Sequence, residues 1–236
     1  MKNHTIRTRK PAAGDFAAQL KKRVTASAVA FGLCLAMTAG AQSPAPPQPP
    51  NSNVKGKTLA QWQALYWDWF AGDIALKTDA NGNAISSGVV LMAFPVTPGD
   101  GTPGSINITL NAGEPFVLPF FMLAGNSYTN GAPSDTMVSA NDFQDPNLKV
   151  TLDGVAIITG TTVPQFYTQT VFNPPLPCDN CGVANEWIWV QGVTMLHAPL
   201  PVGNHVITMD EKFIIPEYAL TFEFHNTWQI VVKAAN

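Results

Sequence analysis

Arginine is missing from residues 42–236, and cysteine is scarce, with Cys34, Cys178 and Cys181 the only three in the chain. Each shortage excludes something. Without arginine the protein lacks the side chain best shaped for bidentate grip on phosphate, so nucleic acid and anionic membrane surfaces are poor partners. Two cysteines after residue 41 cannot build a disulfide scaffold, so stability must come from a hydrophobic core. No segment after residue 41 has the ~20 apolar residues of a membrane-spanning helix. No G-x-S-x-G elbow occurs, and no marked pair of carboxylates suggests acid–base hydrolysis. Gly99 to Gly104 spells G-x-G-x-x-G, but a strand pattern follows where a dinucleotide site needs a helix.

The positive charge that exists is concentrated at the start. Lys2, Arg7, Arg9, Lys10, Lys21, Lys22 and Arg23 precede an apolar run from Val24 to Thr38, which ends in Ala39-Gly40-Ala41. A basic stretch, a short apolar run and a small-x-small ending are the pattern of a cleaved export signal. Residues 1–41 therefore read as a signal peptide, and the mature protein is expected to start near Gln42 in the periplasm or outside the cell. After residue 41, six lysines face fifteen acids, a net charge near −9. Residues 42–56, rich in Pro, Gln, Ser and Asn, read as a linker, and 57–236 as one domain.

Within that domain the hydrophobic period predicts one helix, Thr58 to Phe70. Thr58 and Gln61 form a capping box, and Gly72 is a stop signal. Leu59, Trp62, Leu65, Tyr66, Trp69 and Phe70 fall on one stripe, with Trp67 beside it. Trp62, Tyr66, Trp69 and Phe70 are thus expected to seal the helix onto the domain.

After Gly72 the period becomes 2. Ten short runs rich in β-branched and aromatic residues follow, from Gly88–Phe94 to Thr227–Lys233, divided by Gly, Pro, Asn and Asp. Asp153-Gly154 predicts a two-residue hairpin turn, and Asp79 to Asn83 a further turn. The expected fold is mainly β: an antiparallel β-sandwich, jelly-roll-like, with one N-terminal amphipathic aromatic helix.

Several stretches occur in a familiar order: Trp62 with Tyr66-Trp67-Asp68-Trp69, Gly88–Ala93, Ala112-Gly113 to Pro119, the Val150–Val155 hairpin, and Gly203-Asn204-His205-Val206-Ile207. Together they resemble a group of exported bacterial β-rich proteins without assigned activity. The group's tryptophan helix, AG…P strand pair, DG hairpin and G-x-H-x-I strand are all matched. Phe120-Phe121-Met122 stands where the group pattern has an Asn. The resemblance implies fold and compartment, not mechanism.

Three constellations are candidate sites. Cys178-Asp179-Asn180-Cys181 sits between Pro177 and Gly182, which is loop chemistry on both sides; in an oxidising compartment a loop disulfide is the expected state, with zinc or redox roles as alternatives. His197 and His205 flank a short connection. If it is a hairpin they face each other, and with Asp210, Glu211 or Glu223 they form a conceivable metal or acid–base site; otherwise they are satisfied histidines at the core rim. Trp187 and Trp189 share one face of their strand, either as an open platform for sugar rings or sealed beneath the helix. No cofactor is implied. The leading expectation is an exported, non-enzymatic binding or envelope-associated protein, with carbohydrate a possible ligand. A secreted hydrolase or lyase around His197 and His205, and a structural or adhesive subunit, are the alternatives.

Overall fold

A computed structural model describes residues 45–236, apart from 73, 80, 81, 96, 144–146, 179–182, 216–219, 235 and 236. The expected signal peptide and Cys181 lie outside the described residues. The chain forms one longer helix, α1 (Leu59–Ala71), then β1 (Lys77–Thr78), β2 (Ala84–Ser86), β3 (Val89–Leu91), β4 (Gly104–Asn111), β5 (Phe116–Tyr128), β6 (Lys149–Leu152) and β7 (Val155–Thr159). A four-residue helix, α2 (Val163–Phe166), leads into β8 (Tyr167–Pro177), β9 (Ala184–His197), β10 (Gly203–Ile215) and β11 (Leu220–Lys233).

The strands make a six-stranded sheet in the order β1-β2-β3-β5-β9-β8 and a five-stranded sheet in the order β4-β11-β10-β6-β7. The main core lies between them. Phe116, Leu118, Phe120, Val193 and Met195 of one sheet meet Ile108, Leu110, Val150, Ile207, Met209, Trp228 and Ile230 of the other. A mainly β, two-sheet sandwich with a leading helix is therefore present. The wholly antiparallel arrangement is corrected: β3 runs parallel to β5, and β4 parallel to β11. The β3–β5 pair is parallel because the chain crosses to the other sheet and back between them, through β4. Asp153 and Gly154 both adopt positive φ, 52° and 80°, the conformation a tight primed turn requires. The described part of the expected run Tyr218–Phe224, from Leu220 on, and the run Thr227–Lys233 are one strand, β11, paired with β10 from Gly203↔Val232 to Ile215↔Leu220 without a break.

The six-stranded sheet is apolar on both faces. Phe116, Leu118 and Phe120 of β5 point into the sandwich, while Val117 joins Val89, Leu91 and Leu196 on the outer side. That outer surface needs a cover, and α1 provides it. Thr58 caps the helix by accepting from Gln61 N while the Gln61 side chain returns to Thr58 N, and Gly72 ends it at φ 97°. The buried residues are Leu59, Trp62, Gln63, Tyr66 and Trp67, a complete i, i+3, i+4, i+7, i+8 stripe.

This stripe differs from the expected one. Gln63 and Trp67 are inside it, whereas Leu65, Trp69 and Phe70 are only half-buried. The cause is Gln63, a polar residue fully buried because the sheet satisfies it: its Nε2 donates to Thr194 Oγ1 at 2.8 Å and its Oε1 accepts from Thr168 Oγ1 at 2.6 Å. Trp62 Nε1 donates to Val54 O (3.1 Å) and the Tyr66 hydroxyl to Met92 O (2.8 Å). Burial holds the Tyr66 phenol far above its ordinary range.

Trp67 meets Trp187 edge to face, with centroids 5.0 Å apart. Truncating either Trp62 or Trp67 to Ala should therefore destabilise by about 3–5 kcal/mol, the range for emptying a buried aromatic site. Chemical denaturation of the two variants measures this; a Trp67→Ala loss below about 1 kcal/mol would contradict the observed stripe.

Candidate functional face

With α1 over the six-stranded sheet, the outer face of the five-stranded sheet is the large surface that no described element covers. Strand alternation and register fix what it displays. Ser105 lies opposite Thr227 and Thr208 opposite both Thr227 and Thr151, so four hydroxyl side chains form one row across β4, β11, β10 and β6. Thr151 and Thr208 hydrogen-bond through their hydroxyls at 2.7 Å.

On one side of this row the face is neutral. Asn107, Gln229 and Val206 are aligned across three strands, followed by Thr109, Val231 and Asn204. These residues, with Ile108, His205 and Ile230, line a shallow depression of about 370 Å³. On the other side the face becomes charged. Asp210 lies opposite His225 and Lys212 opposite Glu223. His225 Nδ1 meets Asp210 Oδ1 at 2.8 Å, its Nε2 meets Glu223 Oε1 at 3.3 Å, and Lys212 Nζ lies 3.3 Å from Glu223 Oε2.

The residues singled out in the sequence are placed as follows. Trp187 and Trp189 are both buried and do not share a face. Gly125 pairs with Trp189 and Asn126 with Trp187, so Ile188 is the extra residue of a bulge. Trp187 turns toward Trp67 under the helix. Trp189 lies over Gly125, where a Cβ would overlap the indole, and its Nε1 donates to Asp135 O at 2.9 Å. An open two-tryptophan platform is thereby overturned.

His197 and His205 are not brought together, because the connection after β9 crosses to the other sheet instead of turning as a hairpin. His197 is buried, stacked on Phe116 at 5.1 Å, and its nitrogens face the carbonyls of Ala198 (2.6 Å) and Ala45 (3.0 Å). His205 Nδ1 lies 2.8 Å from Asp153 Oδ2 and its Nε2 3.0 Å from Pro201 O. Asp153 Oδ1 also accepts from Val206 N at 2.8 Å, so this histidine ties the β6–β7 turn to the start of β10. Both rings have their nitrogens engaged, and among the described residues no group of His, Cys, Asp and Glu is arranged to hold a metal ion. Cys178 packs against the Trp67–Trp187 cluster.

Sequence reasoning missed the polar residues that matter most to this architecture. Gln191, fully buried, accepts from Val138 N and donates to Val138 O, each at 2.9 Å, fastening the loop after β5 to the sheet. Asp210 beside His225 was equally hidden, since only the β10–β11 register places them opposite. Set against known proteins, the chain matches no family model and no curated protein.

The charged end of the face yields a pH test. Hydrogen bonds that the His225 ring donates to Asp210 and then to Glu223 hold its pKa above the ordinary value. A raised folded-state pKa stabilises below the unfolded pKa and loses that contribution as pH rises through the folded one. His225→Gln should therefore lose a little stability at pH 5 and almost none at pH 8, the effect being small because the group is well exposed. Paired denaturation curves at the two pH values measure this; an equal loss at both would show that the ion pairs contribute nothing.

Proposed function

We propose that this is an exported protein, periplasmic or extracellular, that binds rather than catalyses, and that its ligand is a neutral polysaccharide or similar envelope component. The observation carrying the reading is the neutral half of the open face. Its depression presents the carboxamides of Asn107, Asn204 and Gln229 and the Thr109 hydroxyl beside the apolar surfaces of Val206 and Val231. Amides and hydroxyls match sugar hydroxyls as both donors and acceptors, and valines suit the C–H faces of the rings. The hydroxyl row runs across strands ~4.8 Å apart, giving an extended chain repeated contacts of one kind. An anionic ligand would meet no cation in the depression and a net charge near −9 beyond residue 41.

Binding of this kind is shallow and polar, so affinity per sugar is modest and repeats supply avidity. The two sheets, with chain crossings at β3–β4, β4–β5, β5–β6, β7–β8 and β9–β10, support a jelly-roll-like reading of the sandwich. A Cys178–Cys181 loop disulfide belongs to the same proposal, as the bond expected in an exported protein.

Two measurements test it. The mature amino terminus of exported material should start near Gln42; a chain retaining Met1 in a membrane fraction would remove the export premise. In affinity electrophoresis the protein should be retarded by a neutral glucan and not by a polyanionic one. Gln229→Ala and Asn204→Ala should each weaken retardation by about 2–10-fold, the worth of one hydrogen bond. Unchanged retardation in both variants would place the ligand elsewhere, and no retardation by any neutral glucan would remove the ligand class.

A further inference from the structure

Strand β4 is a sheet edge built unlike the others. An open edge invites pairing with another chain, and proteins blunt it with short strands, prolines, charges or bulges. Edge β1 has only two residues, one of them Lys77. Edge β8 carries Pro174, Pro175 and Pro177 and an irregular register between Val171 and Leu176. Edge β7 is five residues long and carries a register shift at Ile157, opposite Val150/Thr151. Edge β4 is eight residues, Gly-Ser-Ile-Asn-Ile-Thr-Leu-Asn, in unbroken register with β11, without a proline or a charge. Among the described residues β11 is its sole strand partner.

The ladder shows which backbone groups are open. Ala112 N donates to Lys233 O at 2.7 Å. Alternation then turns Ile106, Ile108 and Leu110 toward β11 and leaves the N–H and C=O of Ser105, Asn107, Thr109 and Asn111 on the outer edge. The open stretch has a stop at each end. Asn111 N already donates to Glu114 Oε2 at 2.7 Å, and Pro103, the preceding outward position, has no N–H.

We infer that β4 pairs antiparallel with the β4 strand of a second copy of this chain, about a two-fold axis at Asn107. This register sets Asn107 against its own symmetry mate and Ser105 against Thr109, each pair exchanging both backbone bonds. The next positions outward would set Asn111 against Pro103, where neither has a free N–H, so the two stops coincide and no other symmetric register uses the open groups as fully. On the core side Ile106 meets Ile108 of the other copy, a β-branched cross-strand pair that covers Ile106, half-buried in the single chain. On the outer side no like charges are opposed, and the polar faces of the two copies become one continuous surface. A second copy is favoured over an unrelated peptide because these stops and side chains complement themselves under two-fold symmetry.

Sedimentation equilibrium of the exported protein tests this without any ligand. The wild type should show concentration-dependent association to twice its monomer mass. Asn107→Lys and Asn107→Asp each put like charges together at the axis and should both be monomeric, while an equimolar mixture of the two should regain the dimer. The Asn107 backbone does not bond β11, so both variants should keep wild-type circular dichroism and melting. A wild type that stays monomeric to its solubility limit, charge variants that still dimerise, or a mixture that fails to reassociate would each overturn the inference.

Discussion

A sheet that is apolar on both faces must be covered on both, and this requirement shapes the whole domain. β5 and β9 send Phe116, Leu118, Val193 and Met195 into the sandwich and Val117, Val190 and Leu196 outward. The sandwich partner covers the first set and α1 the second. An isolated helix of this length is marginal in water, so α1 depends on the sheet as much as the sheet depends on it. Gln63 makes the docking specific: its amide fits only where Thr168 and Thr194 converge, and a slide along the sheet would leave it buried and unpaired. With one sheet closed in this way, the other is left to face solvent.

Features with local causes were legible in the sequence. The Thr58–Gln61 capping box, the Gly72 stop and the Asp153-Gly154 turn depend on neighbours a few residues away, and they stand where the residues indicate. The strand-rich middle and the two-sheet architecture follow from period and turn spacing. Features set by long-range register were not legible. One bulged residue, Ile188, turns Trp187 and Trp189 to opposite faces, and the surrounding sequence contains nothing that announces it. Gln63 reads as solvent-facing until its threonine partners, more than one hundred residues away, are placed. His197 and His205 look adjacent only if the chain turns back within one sheet, and it crosses to the other.

The solvent face of the five-stranded sheet is graded along its strands. Neutral amides and valines occupy the end near Asn204, hydroxyls the middle, and the Asp210–His225–Glu223–Lys212 cluster the end toward Ile215 and Leu220. The depression lies at the neutral end, beside the β4 edge, so ligand contact and chain pairing would use adjoining parts of one surface. The opposite side of the domain holds most of the tryptophan, yet Trp62 and Trp67 are fully enclosed and Trp187 is nearly so. Aromatic residues here close the structure, while amides and hydroxyls dominate the outer face of the five-stranded sheet.

We propose that helix docking leaves the five-stranded sheet as the ligand-binding surface. Amide chemical-shift mapping on isotopically labelled mature protein, titrated with a soluble neutral oligosaccharide, tests it most directly. Shifts should concentrate at Asn107, Thr109, Asn204, Val206, Gln229 and Val231 and leave α1 unmoved. Shifts centred on Trp69, Phe70 or the β8 edge would contradict the account.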